Sequence, residues 1–324
     1  MKDTILNQIR SAKGIMLGAH MSPDGDAIGA LVGMATLCGF LHIPYQILLE
    51  KIPVDFEDLL ENNSVSLEPT LDYDTFISVD CGDKERLGKF EETFEKAQVT
   101  INIDHHGTNT YFAQYNEVQK NASASCEIVY DFISLAQCPL TECLARSLYT
   151  GILTDTGGFM HSSTTSRTHE IVAELMRVPF PFTKVYYKHL YEKSKISAIM
   201  EALAIGHIKQ LWDKPYYMTY VTLEELEAKG ATKEDLGAIV SSVKNIKGCD
   251  LAIFIYPLDE NHYKVSFRSN PPYDVAALAA SFGGGGHIRA AGVTIEGHFE
   301  EVVGRIEQAL RQVPLDETMK GSIC

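Results

Sequence analysis

Short apolar runs alternate with stretches of helical spacing through the first half of the chain. Gly14 to His20 (GIMLGAH) has the pattern of a buried strand and runs into the loop His20-Met21-Ser22-Pro23-Asp24-Gly25-Asp26. Ala27 to Phe40 follows with helical spacing and with Gly29, Gly33 and Gly39 as small contact positions. Pro44 to Leu49, Thr75 to Asp80 (TFISVD) and Val99 to Asp104 (VTINID) are three further strand patterns. Ser123 to Ala136 and Thr141 to Leu153 return to helical spacing. Such alternation predicts an α/β domain built on a parallel sheet with helices on both faces.

Ser166 to Leu211 is helical in pattern throughout, with Pro179 and Pro181 separating helices and Ser194 to Leu211 forming a connector. The character changes near residue 214. Tyr216 to Thr222, Leu251 to Pro257, His262 to Arg268 and Gly292 to Ile295 have strand patterns. Asp274 to Phe282 and Phe299 to Gln312 have helical ones. The layout predicts a domain over 1–190, a helical connector over 191–213 and a smaller α/β domain over 214–324. A length of 324 residues suits two cores better than one.

Composition narrows the class. An apolar share of 45% and a charged share of 22% are ordinary for a globular protein. No apolar run is long enough to span a bilayer, and Met1 to Arg10 lacks the form of a secretory signal. The seven cysteines are irregularly spaced and include no CxxC pair, which argues against a disulfide framework or a structural zinc site. A reduced, cytoplasmic protein is the expectation, with no membrane partner. The net charge of −15 disfavours long nucleic acid, whose binding depends on neutralising phosphates. Bound divalent cations reverse the local potential, so short phosphate substrates stay within reach.

The chemistry concentrates at strand ends. The first strand delivers His20, with Asp24 and Asp26 in the loop beyond it. The third ends at Asp80 and the fourth at Asp104-His105-His106. Asp155 follows Gly151-Ile152-Leu153-Thr154. In an open parallel sheet the carboxyl ends of the strands line one crevice. Each position alone also suits a turn or a helix cap. Together they form a mixed carboxylate and imidazole set that suits two divalent cations with one carboxylate shared. Two such ions, about 3.5–4 Å apart, clamp the attacking and leaving oxygens of a phosphoryl displacement.

Four segments in order, HMSPDGDAIGA, ISVDCGD, NIDHHGTN and GILTDTGGF, resemble the motifs of the DHH phosphoesterases. Phe267-Arg268-Ser269 and the run GGGGHIRAAG (Gly283 to Gly292) resemble the associated DHHA1 domain. The resemblance covers nearly the whole chain, and the layout is similar to that of NrnA-type oligoribonucleases (nanoRNases), which also act on adenosine 3′,5′-bisphosphate. It implies His20, Asp24 and Asp80 around one manganese ion. Asp26, Asp80, His105 and Asp155 would surround the other. It places His106 against the reacting phosphate as a catalytic group, with Asp104 orienting a neighbouring histidine.

Arg268, Ser269, Gly285, Gly286 and His287 are the substrate-side candidates. Consecutive glycines let backbone N–H groups approach a phosphate, and the Arg268 fork suits the same ligand. Taken alone, the glycine run is equally a flexible loop. Asn270, the segment Asn116 to Asn121 and His161 depart from the family wording and bear on substrate choice. The implied reaction is hydrolysis, by metal-activated water, of short RNA or DNA oligonucleotides or of small nucleotides held between two closing lobes.

Rival readings are a cyclic-dinucleotide or linear-dinucleotide phosphodiesterase, a family II pyrophosphatase, a RecJ-type long-strand exonuclease and a non-catalytic nucleotide sensor. The C-terminal region has few clustered cations for pyrophosphate. A dinucleotide-cofactor fold lacks its GxGxxG after the first strand. A homodimer is a further expectation, with the helix from Ala27 to Phe40 or the connector as its contact.

Overall fold

The computed structural model describes residues 1–60 and 63–314. The last ten residues of the expected second domain, Cys324 among them, lie outside the described residues. The chain divides into two compact units, Met1–Glu192 and Lys193–Cys324.

The first unit is built on six parallel strands: β1 (Ile15–Gly18), β2 (Tyr45–Leu48), β3 (Val65–Ser66), β4 (Thr75–Val79), β5 (Val99–Asp104) and β6 (Tyr115–Val118). Their order is β3-β2-β1-β4-β5-β6. The chain therefore winds outward from β1 through β2 to β3, then crosses back to β4 beside β1. That reversal is the topological switch where such sheets open a crevice at their carboxyl ends. The short edge strands β3 and β6 have no sequence signal of their own. β6 falls in the segment whose wording departs from the family.

Helices cover both faces of this sheet. One face carries α1 (Lys2–Ser11), α2 (Gly25–Phe40), the single turn α3 (Glu57–Leu60), α5 (Ser125–Leu135) and α6 (Glu142–Asp155), packed into the main core. The thinner layer on the other face is a tight turn at Glu85–Phe90 with α4 (Glu91–Lys96), whose Leu87, Phe90 and Phe94 pack on Met16, Leu48 and Phe76.

The apolar residues of α2 run all round the helix, the mark of a helix with no solvent side. Only Thr36, Gly39 and Phe40 reach the surface. This overturns the expectation that α2 pairs two subunits, because its circumference is spent on its own core. Gly29 explains how closely its neighbours approach. A Cβ there would lie 2.5 Å from the Ser147 carbonyl oxygen of α6 and 2.8 Å from Cys126 Sγ of α5. The unit ends with α7 (Ser166–Leu175) and α8 (Phe182–Leu190), separated at the two prolines.

The second unit opens with α9 (Lys195–Gly206). The expected helix to Leu211 stops at Gly206, and β7 (Lys209–Gln210) then joins the second sheet. Met200 and Ala204 of α9 pack into this unit's own core, so the segment read as a connector is part of it. The sheet continues with β8 (Tyr216–Tyr220), β9 (Leu251–Pro257), β10 (His262–Ser269), β11 (Gly285–His287) and β12 (Ala290–Glu296), in the order β11-β12-β10-β9-β8-β7. α10 (Leu223–Lys229) and α11 (Ile239–Lys244) precede β9, while α12 (Val275–Ala280) and α13 (Phe299–Leu310) cover the opposite sheet face. The six described cysteines are free. No described helix is long and apolar enough to cross a membrane.

Candidate functional site

The acids and histidines gather at the carboxyl edge of the first sheet. His20 lies two residues past β1, Asp80 directly past β4, and Asp104-His105-His106 at the end of β5. These are the three adjacent central strands. Asp24 and Asp26 stand at the start of α2, and Asp155 ends α6.

Three sets of side chains each offer ligand atoms within 4.8 Å of one another: His20, Asp24 and Asp80; Asp26, His105 and Asp155; and Asp80, His105 and His106. All six expected ligand residues fall in these sets, and His106 falls beside them. Asp80 belongs to two. Its Oδ2 faces His20 Nε2 at 3.6 Å, while its Oδ1 faces His105 Nε2 at 3.6 Å and His106 Nδ1 at 3.7 Å. One carboxylate therefore turns a separate oxygen toward each side of the cluster.

Local structure holds these groups rigidly. Asp80 has φ of 52°, in the left-handed region that a non-glycine residue adopts at a cost of about 1–3 kcal/mol. Ser125 Oγ donates to its Oδ1 at 3.0 Å. Asp24 caps α2, its Oδ1 accepting from the backbone N–H groups of Asp26 and Ala27. For this residue the cap reading and the ligand reading hold at once. Asp26 is 1% exposed and caps a different helix, accepting from the N–H of Ser125 at 2.6 Å and of Cys126 at 2.9 Å at the start of α5. Sequence reasoning had no access to this contact, which joins residues about a hundred positions apart.

The histidines are oriented too. His105 Nδ1–H donates to the Ala122 carbonyl at 3.3 Å, which turns Nε2 toward Asp26, Asp80 and Asp155. Committing one ring nitrogen to a carbonyl fixes the tautomer that leaves the other as a ligand. His106 Nδ1–H donates to Asp104 Oδ1 at 2.7 Å, and Asn109 Nδ2 donates to Asp104 Oδ2 at 2.6 Å. Asp104 is fully buried and lies outside the three sets. Asn109, which also bonds Asn102, is a supporting residue that sequence reasoning passed over although it stands in the NIDHHGTN segment.

Electrostatics set the acids apart. Burial raises the Asp26 carboxyl well above the usual range, and the neighbouring Asp80 and Asp155 add to it. Burial likewise lifts Asp155 to about 6, with Asp80 and Asp24 contributing and His105 opposing. Burial works against the charge on Asp80, but the His20, His105 and His106 imidazoles outweigh it and hold that carboxyl low. Asp104 is also buried, yet the hydrogen bonds from His106 and Asn109 keep it low. In return the Asp104 bond raises His106. Burial alone would lower His105, but Asp26, Asp155 and Asp80 raise it.

Four acids packed this closely repel one another unless cations lie between them. The mixed oxygen and nitrogen donors, the shared carboxylate and the prearranged tautomers fit divalent cations. Replacing Asp104 by asparagine is expected to lower kcat by about 10–100-fold with the fold intact, the scale set by losing a group that orients a ligating or reacting histidine. Steady-state rates beside far-ultraviolet circular dichroism check this, and an unchanged kcat would remove Asp104 from the site.

The substrate-side candidates lie in the second unit and divide between the two faces of its sheet. Arg268, Gly285 and His287 stand on one face, because Arg268 pairs with Ala290, His287 pairs with Ala290, and Gly285 pairs with Gly292. Ser269 is a correction. It points to the opposite face, is 7% exposed, and donates Oγ–H to the Tyr273 carbonyl. Arg289 donates to that same carbonyl and supports the turn. Gly285 and Gly286 belong to the edge strand β11, and Gly283 and Gly284 lead into it from the turn after α12. Gly286 is required there by its φ of 142° and by the Ala290 carbonyl oxygen, which a Cβ would approach to 2.5 Å.

His161, another departure from the family wording, donates Nδ1–H to the Asp155 carbonyl at 3.0 Å.

Residues 14–152 match the model of the DHH family, N-terminal domain, and residues 213–313 match the DHHA1 domain. The chain is 30% identical over 309 residues to the probable bifunctional oligoribonuclease and PAP phosphatase NrnA of Streptococcus mutans, covering 89% of this chain and 92% of that protein. It is 29% identical over 301 residues to the bifunctional oligoribonuclease and PAP phosphatase NrnA of Thermus thermophilus, covering 92% and 89%. An exopolyphosphatase-related protein from Bacteroides fragilis shares the fold, with a TM-score of 0.86 at 24% identity over 96% of this chain and 95% of that one. With the cation-binding cluster at the carboxyl edge of its first sheet and both domain models matched in order, the chain belongs to the DHH family of phosphoesterases, in the company of its NrnA-type members.

Proposed function

We propose that the protein hydrolyses short oligoribonucleotides and 3′,5′-bisphosphonucleosides, using two divalent cations, manganese being the preferred ion. The observation that carries this reading is Asp80, whose two oxygens face His20 on one side and His105 with His106 on the other. The names of the NrnA relatives support the substrate class. Two histidines among the donors, His20 and His105, favour manganese over magnesium, which prefers an all-oxygen shell.

His20, Asp24 and Asp80 would hold one cation. Asp26, Asp80, His105 and Asp155 would hold the other. When bound, the pair supplies an activated water and neutralises charge on the phosphoryl oxygens. The chain's own groups do the rest. Asp80 keeps both positions in register through its strained backbone and its Ser125 bond. Asp26, tied to the α5 amides, cannot swing away when charge changes nearby. Asp104 holds the proton on His106 Nδ1, which leaves Nε2 to face the substrate. Water attacks phosphorus and loses a proton to solvent, the ester P–O bond breaks, and the leaving oxygen takes its proton from Nε2 of the His106 imidazolium, the form that the Asp104 bond favours. In the second unit, Arg268, His287 and the glycine edge would take a phosphate that is not being cleaved.

A substrate panel with added manganese tests this. Ribonucleotides of two to ten residues, adenosine 3′,5′-bisphosphate and pyrophosphate would be compared at equal concentration. Mononucleotides from the shortest chains and phosphate from the bisphosphate are expected, with little turnover of the decamer or of pyrophosphate. Pyrophosphate as the sole good substrate, or no product from any, would overturn the reading.

A further inference from the structure

The helix α8 buries only Val185, and helical spacing sorts its other side chains. Phe182 and Tyr186, a turn apart, fall on one flank, and Lys184 and Lys188, also a turn apart, fall on the other. A cavity opens on each flank, and both have the usual size of a small-molecule site. The first, of about 410 Å³, lies between α6, α7 and α8 and is lined by Tyr149, Phe159, Met176, Tyr186, Tyr187 and Tyr191 among others. No described charged side chain lines it. Tyr187 and Tyr191 stay 63% and 60% exposed, with their rings stacked at 6.3 Å and 18°. The hydroxyls of Tyr186, Tyr187 and Tyr191 bond to no described group. Phe159 joins the wall from the turn after Asp155 with a φ of 70°, a conformation that a bulky residue keeps only where its surroundings fix it.

The second cavity, of about 510 Å³, lies between α3, α6 and α8, and its charged lining is Asp58, Arg146, Lys184, Lys188, His189 and Glu192. Three cations face two acids there, in a chain of net charge −15. The Asp58 carboxylate accepts from Lys188 Nζ at 2.8 Å and from Arg146 Nη1 at 3.4 Å, and the Asp58 carbonyl accepts from Arg146 Nη2 at 2.8 Å. Arg146 Nε–H is buried and meets no acceptor, and Lys184 pairs with no described carboxylate. A buried donor left unsatisfied is costly, so a further acceptor is favoured beside this guanidinium. Thr183 and Tyr187 line both cavities, which makes them continuous along the outer side of α8. None of His20, Asp24, Asp26, Asp80, His105, His106 and Asp155 lines either one.

We propose that the two cavities form one nucleotide-binding site, separate from the cation cluster, that takes a nucleoside monophosphate. The base lies among Tyr186, Tyr187 and Tyr191, and the phosphate lies against Lys184, Lys188 and Arg146. The chemistry of the two flanks matches the two ends of such a ligand. A base presents a flat face that stacks on any aromatic ring and edge atoms that meet the free hydroxyls. A phosphate needs the charge-assisted donors that only the other flank supplies. The site stands whether or not the proposed reaction does, because its test needs no turnover.

Calorimetry on the full chain carrying Arg268→Gln, which removes the phosphate contact proposed in the second unit, would follow AMP, adenosine and ribose 5-phosphate. Chelator keeps cations from the acid cluster, which then repels phosphate. AMP is expected to bind, with adenosine and ribose 5-phosphate each at least about tenfold weaker. Adding Tyr187→Ala should weaken AMP and adenosine about tenfold, the scale of one lost base stack, and leave ribose 5-phosphate within about twofold. Adding Lys184→Gln instead should weaken AMP and ribose 5-phosphate about tenfold and leave adenosine within about twofold. Both side chains are exposed, so the fold should survive, and circular dichroism checks it. No binding of AMP, or an affinity indifferent to both substitutions, would overturn the proposal. Equal weakening of all three probes by Tyr187→Ala would make that residue structural and overturn it too. Sedimentation of the same proteins supplies the last outcome. A shift from dimer to monomer on Tyr187→Ala, with AMP binding unchanged, would assign the aromatic flank to a second copy of the chain instead.

Discussion

Replacement of Asp80 by alanine is expected to reduce kcat/KM on short ribonucleotides by on the order of 10⁴-fold or more. The magnitude follows from how many roles meet at one side chain. Its Oδ2 faces His20, its Oδ1 faces His105 and His106, and Ser125 fixes the latter oxygen at 3.0 Å. Removing it deprives both cation positions of a ligand at once, and groups that act as a unit lose nearly all function when one is deleted. The charge on Asp80 also holds His105 and His106 toward their protonated forms, so the effect extends beyond coordination. The fold should survive, because the main core does not depend on this carboxylate. Alanine at a φ of 52° adds a modest cost, so circular dichroism and a melting curve belong beside the rate measurement. An Asp80→Ala protein that stayed within tenfold of the original rate would end the two-cation assignment.

The second large effect is on stability, and its sign follows from the direction of four shifts. Asp26, Asp155, His105 and His106 all have raised pKa values in the fold. A raised pKa contributes stability that is complete below the unfolded value and is lost as the pH passes upward through the folded one. Asp155, lifted from 3.8 to about 6, loses its contribution across that interval, and the two histidines lose theirs above 6.5. Asp80 and Asp104 are shifted down, so theirs is present above about 3.8 and disappears only in stronger acid. Stability in the presence of chelator is therefore expected to fall as the pH rises from 5 to 8, by at least ~4 °C in melting temperature. Divalent cations should reverse the trend. They bind deprotonated ligands, and saturation at a hundred times Kd stabilises by about 2.7 kcal/mol per site. Melting curves at pH 5, 6.5 and 8, with chelator and with manganese, give the comparison. A chelated protein that became more stable toward pH 8 would show that these acids do not share one site.

Several features were legible without coordinates. Strand ends carrying His20, Asp80 and Asp104-His105-His106 stand out because apolar runs stop abruptly at polar residues. A parallel sheet must bring its carboxyl ends to one edge. The helix over Ala27 to Phe40 and its glycine contacts were legible too, although its burial on all sides was not inferred. Other features left no local trace. The strand β3 is two residues long, too short for periodicity to mark, and β6 (YNEV) is half-buried throughout and has no apolar run. The extension of helical pattern past Gly206 was misleading, since β7 takes its conformation from pairing with β8 and not from its own residues.

Residue types and their alternation thus determined the class of fold, the donor chemistry and the strands that deliver it. Tertiary structure alone decided strand order, which sets β1, β4 and β5 side by side and makes Asp80 common to two ligand sets. It also decided that Asp26 is tied to the amides of Ser125 and Cys126, and that Arg268 and Ser269 point to opposite faces of the second sheet, with Ser269 buried. The physical reason is the same in each case. Period and composition are properties of neighbours along the chain, whereas shared ligands, distant caps and the exposed side of a sheet depend on which other elements pack there.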